Sequence, residues 1–131
     1  MNETLAHTNL VSAWAGILAG FLSGLMLGLG FDKEKWLGGY GSWKRRLYRL
    51  GHISFFGLAL VNFLFYFTTQ GLGAWSDVLW IASRAFIVGA ITMPFCCLVM
   101  AHWPKCRPLF AVPVISLVSG ATLTLFEVSR F

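Results

Sequence analysis

The sequence predicts an all-α integral membrane protein of four antiparallel transmembrane helices, with both termini on the non-cytoplasmic side. Three observations predict it. First, only 11% of the 131 residues are charged and 57% are hydrophobic, where a soluble domain carries about 25% charged residues. The mean hydropathy is +0.72. Second, four apolar stretches, about 11–30, 51–70, 78–101 and 109–127, approach the roughly 20 residues that a helix needs to cross the hydrocarbon core. Third, the basic residues gather on alternate connections. Lys33, Lys35, Lys44, Arg45, Arg46 and Arg49 lie between the first two stretches, and Lys105 and Arg107 between the last two. Positive loops stay in the cytoplasm, so the net charge of +5 is a topology signal, and nucleic-acid binding is not expected. The expected location is the inner membrane of a bacterium or an equivalent membrane.

The first span is expected to be retained. Its flank, MNETLAHTNL, contains Glu3 and no Lys or Arg, whereas a secretory signal begins with positive charge. Ser12, Gly16, Gly20, Gly24 and Gly28 recur at every fourth position along it. Glycine costs about 1 kcal/mol against alanine in a helix in water, so such a run calls for a reason. In lipid, small residues let helix backbones approach closely. A step of four advances about 40° around the helix, so the groove winds slowly and suits an obliquely crossing partner. The partners expected inside the chain are the fourth span, through Ser116, Ser119 and Gly120, and the third, through Ala85, Gly89, Thr92 and Cys96. A helix of another subunit is the external candidate.

Residues 32–50 read as a basic interfacial loop. Gly38, Gly39 and Gly41 break the chain, and Ser42 is placed to cap a short amphipathic helix. Trp43, Leu47 and Leu50 would share one side. Lys44, Arg45, Arg46 and Arg49 would face anionic lipid headgroups or the acidic surface of a partner.

The remaining spans carry isolated polar groups. Asn62 falls mid-membrane in the second, where an amide seeks an interhelical hydrogen bond worth about 0.6–2 kcal/mol. Arg84 lies about two turns into the third, where a buried charge is costly. Glu127, at the end of the fourth, is its expected partner, with Asp77 and the C-terminus as others. Pro94 removes a helix hydrogen bond and predicts a kink at the carbonyl of Ala90. Cys96 and Cys97 read as small packing residues.

His52 opens the second span and His102 closes the third, so the predicted topology brings both to the cytoplasmic side. Two imidazoles on neighbouring helices are candidate ligands for a haem b iron or a metal, and Cys106 is a candidate thiolate beside them. The competing reading is that headgroups and water satisfy both histidines. Four spans with two histidines resemble the b561-type cytochromes in outline. That family carries haem histidines on both membrane sides; this chain lacks the second set, so no residue role carries over.

No nucleophile with a matched base, carboxylate pair, phosphate-binding glycine loop or haem-attachment CxxCH is found in the sequence. An independent enzyme is therefore not expected. The leading expectation is a small accessory subunit of a larger membrane assembly, respiratory or photosynthetic, packing against other transmembrane subunits through the groove of the first span. Bound lipid, quinone or pigment would be its ligands. Two alternatives stand beside it: a haem b electron-transfer subunit using His52 and His102, and a channel or transporter formed by self-association.

Overall fold

The computed structural model describes residues 2–73 and 76–130, with side chains from residue 6 onward. Four α-helices follow one another: α1 (Asn2–Leu29), α2 (Trp43–Leu72), α3 (Asp77–His102) and α4 (Ala111–Val128). Short 3₁₀ segments, Trp36–Gly38 and Pro104–Phe110, fill the two basic connections. No strand occurs among the described residues. Each of the four helical segments is long and apolar enough to cross a membrane.

Local chemistry sets the boundaries. Ser42 caps α2: its Oγ accepts a hydrogen bond from the Arg45 amide at 3.2 Å, satisfying one of the free N–H groups of the first turn. The helix therefore starts at Trp43, and residues 43–50 of the expected loop are its first two turns. Gly73 ends it in the left-handed conformation, φ 62°, which glycine adopts without a Cβ penalty. Ser76 caps α3 through the Leu79 amide, also at 3.2 Å. Pro94 lies inside α3, which continues as α-helix on both sides of it.

The helices pack mainly on their neighbours in sequence, α1 on α2, α2 on α3 and α3 on α4, with α1 also reaching α3. The central pair holds one core, Phe65, Leu79, Ala82 and Phe86, against which Leu117 and Leu123 of α4 pack. A second core, Leu47, Met100 and Ala101, ties the start of α2 to the end of α3.

Gly16, Gly20 and Gly24 of α1 face α2, which corrects the expected partners. A Cβ on Gly16 would lie 3.2 Å from Ala59 Cβ, one on Gly20 2.6 Å from the Phe56 ring, and one on Gly24 3.0 Å from the His52 ring. Edge-on pairs flank this seam, Trp14 with Phe63 at 5.5 Å and Phe21 with Phe56 at 5.4 Å between ring centroids. The groove thus receives the Ala59 methyl at Gly16 and the Phe56 and His52 rings at Gly20 and Gly24, and small–small matching did not anticipate the rings. Gly28 has no neighbour within 4 Å. On α4, Gly120 admits the Phe86 ring of α3. Ser116 is half-buried on the same helix.

Candidate functional site

Three polar side chains meet where α1, α2 and α3 come together. Asn9, Asn62 and Ser83 are each fully buried, at 0% exposure. Asn9 Nδ2 donates to Asn62 Oδ1 at 2.8 Å and to the Ser83 carbonyl at 3.4 Å. Ser83 Oγ donates to Asn9 Oδ1, and Asn62 Nδ2 donates to the Leu58 carbonyl at 2.9 Å. Every oxygen in this node is engaged, as burial requires. Asn62 therefore finds its interhelical partner in Asn9. Sequence reasoning missed Asn9 because it lay before the estimated start of the span. The available signal was its position three residues, about one turn, ahead of Ser12.

A cleft opens beside this node, between α1 and α3 with α2 as its floor. Its wider part, about 410 Å³, lies between Ser12, Gly16 and Ala19 on one wall and Ala90, Ile91 and Phe95 on the other. A narrower chamber of about 180 Å³ adjoins it and shares Phe55, Pro94 and Leu98 with it. Ser23, His52 and Tyr48 line the chamber with Trp36, which comes from the connection.

His52 is held at this end. Its Nδ1 lies 2.9 Å from Ser23 Oγ, and Ser23 Oγ donates its own proton to the Gly20 carbonyl at 3.0 Å. Which of the two donates follows the tautomer of the ring: with the hydrogen on Nδ1, Nε2 is an acceptor. His102 is held differently: its Nε2 lies 2.9 Å from the Tyr48 hydroxyl, and the ring is exposed. The two histidines thus engage separate hydroxyls. Among the described residues, no three His, Cys, Asp or Glu side chains gather as a metal site, so Cys106 does not complete one with them.

Trp36 is fixed by an aromatic cage around Arg45. The guanidinium carbon lies 3.8 Å from the Tyr40 ring centroid, 5.6 Å from that of Trp36 and 5.8 Å from that of Phe31. Arg45 Nη2 donates to the Phe31 carbonyl at 3.2 Å, and the residue is 3% exposed. This corrects the expectation that Arg45 faces lipid or a partner. The weakly hydrated guanidinium sits among π faces in its place. Lys44, Arg46 and Arg49 are exposed. The turn beneath the cage is tight: Leu37, Gly38 and Gly39 have φ of 52°, 84° and 95°. Two of the three are glycines, which take such angles without strain.

The expected pair of Arg84 with Glu127 is not formed. Arg84 is exposed, and its guanidinium lies over the Trp80 ring at 4.8 Å. A neighbouring indole on the same helix face meets the cation more cheaply than a partner across helices. Glu127 is 5% exposed, and its Oε1 lies 4.0 Å from Arg130, just past the end of the same helix.

Four helices long and apolar enough to cross a membrane thus carry a buried polar node and an adjoining apolar cleft. Set against family models, curated proteins and solved structures, the chain gives no match.

Proposed function

We propose that the protein is a small non-catalytic subunit of a larger membrane assembly and that its outer helices seat neighbouring transmembrane segments. The observation that supports this is the uneven burial of the four helices. In α2 and α3, 33% and 39% of the most apolar window is buried inside the chain. In α1 and in the segment containing α4, the share is 11%. Leu18, Leu22 and Leu25 of α1 and Ile115, Val118 and Leu125 of α4 are each more than half exposed. With α2 seated on Gly16, Gly20 and Gly24, the face offered to partners is the outer one.

The topology that accompanies this reading is antiparallel, with both termini outside and the connections at 30–42 and 103–110 in the cytoplasm. The supporting observations are the charge asymmetry of the connections and the exposed Lys44, Arg46 and Arg49 at the start of α2. A haem-binding role has less support, because Tyr48 already engages His102 Nε2.

The test is the native mass of the particle released by gentle extraction from its own membrane. The expected result is a particle several times the 14.5 kDa of the chain, containing other transmembrane polypeptides. A monodisperse monomer would contradict the proposal, and a homo-oligomer conducting ions in liposomes would favour the channel reading. A reduced haem band lost in His52→Ala and in His102→Ala would replace it with electron transfer.

A further inference from the structure

The α1–α3 cleft is graded in polarity along its length. Its wider part is walled by Ala15, Ala19, Ile91 and Phe95, with Ser12 as its one hydroxyl side chain. At the other end come Ser23, His52 and Tyr48, enclosed by Trp36 and Phe55. An apolar trough that ends in a few convergent polar groups and rings is the shape complement of an amphiphile with a hydrocarbon tail and a flat, hydrogen-bonding head.

The hydrogen bonds restrict the head further. Ser23 Oγ holds His52 Nδ1 and also reaches the Gly20 carbonyl. In the tautomer with the hydrogen on Nδ1, the imidazole offers Nε2 as an acceptor, and the head that suits it donates a proton. The wider trough, about 410 Å³, falls within the roughly 300–1,000 Å³ of ligand sites. Its wall on α1 stays open because Ser12, Ala15, Gly16 and Ala19 are all small. Trp36 closes the far end, pinned by the Arg45 cage. Rings at that end favour an aromatic head over a glycerol one.

We infer that this cleft binds a prenylated hydroquinone, its tail between α1 and α3 and one ring hydroxyl donating to His52 Nε2. The inference is independent of membership in an assembly: a monomer that binds the quinol satisfies it, and an assembly that does not bind it overturns it.

The experiment titrates the full-length protein in phosphatidylcholine nanodiscs with decylubiquinol under anaerobic conditions. Saturable tryptophan quenching is read after subtraction of partitioning into empty nanodiscs. Decylubiquinone and 1-decanoylglycerol form the comparison arms, the first without a ring hydroxyl and the second without a ring. The expected result is saturable quinol binding, with at least ten-fold weaker binding of both comparison ligands. Two variants probe the two ends: His52→Phe removes the acceptor and Ala19→Leu fills the trough. Each is expected to weaken quinol binding at least ten-fold, while Ile115→Ala on the outer face of α4 leaves it unchanged. If His52→Phe fails to fold by circular dichroism, Ala19→Leu decides alone. Non-saturable quenching overturns the inference, as does unchanged binding in Ala19→Leu. Equal affinity for the quinone excludes the hydroxyl donor, and equal affinity for 1-decanoylglycerol assigns the cleft to a lipid.

Discussion

At the scale of single residues, burial decides which polar groups matter. Asn9 and Asn62 form a side-chain pair at 2.8 Å in a region where water cannot substitute for a lost partner. Asn9→Ala and Asn62→Ala are each expected to cost about 0.6–2 kcal/mol, the range for interhelical hydrogen bonds in membranes. The double variant should cost less than the sum, because either single change already breaks the pair. Reversible unfolding in mixed micelles measures all three. Arg45 gives a second prediction. Its guanidinium stacks 3.8 Å from the Tyr40 ring centroid, a geometry in which a lysine is a poor substitute. Arg45→Lys should lower stability by about 0.5–2 kcal/mol, while Arg46→Lys, on an exposed neighbour, leaves the same unfolding midpoint unmoved. Sequence alone could not separate these two arginines. They are adjacent, and only the positive-φ turn at Leu37–Gly39 shows which one the connection folds over.

At the scale of elements, the α1–α2 seam explains the glycine run. Gly16, Gly20 and Gly24 each meet a side chain or the backbone of α2, and Gly20 has the least room, its added Cβ falling 2.6 Å from the Phe56 ring. Gly20→Ala is therefore expected to destabilise the fold by about 1–3 kcal/mol through overpacking. Phe56→Ala in the same chain should recover part of that loss by vacating the space. Gly28→Ala, with no neighbour within 4 Å, should show neither effect in thermal unfolding. The existence and approximate extent of the four spans were legible from the length and hydropathy of the apolar stretches. The start of α2 was not: the pattern of glycines and cations concealed that Ser42 caps a single 30-residue helix rather than a separate short one. The partner of the groove was also hidden, because matching small residues to small residues favours α3 or α4. Small residues equally accept large rings, and nothing in the one-dimensional pattern chooses between the two. The polar end of the cleft was half legible: His52 stood out, but Ser23 lies 29 residues from it in the chain, and only the packing of α1 on α2 joins them.

At the scale of the whole molecule, the protein is a helical row with a well-packed centre and lightly buried flanks. Apolar surface on those flanks becomes a packing surface where a neighbouring helix fits it closely. The proposed assembly therefore makes a claim about what touches α1 and α4, and the topology makes a separate one about sidedness. For the latter, a single cysteine introduced at Gly41 on a background lacking Cys96, Cys97 and Cys106 should react with a membrane-impermeant maleimide only after the cytoplasmic face is opened. Reaction in intact cells would invert the proposed orientation.

Contact on the flanks is tested most directly by photo-crosslinking in the native membrane, from a photoreactive residue placed at Leu22 on α1 or Leu125 on α4, which are 55% and 69% exposed. The account predicts discrete adducts with one or a few transmembrane polypeptides, and weaker yields from Phe65 in the core. Adducts with lipid alone at both outer positions would contradict it.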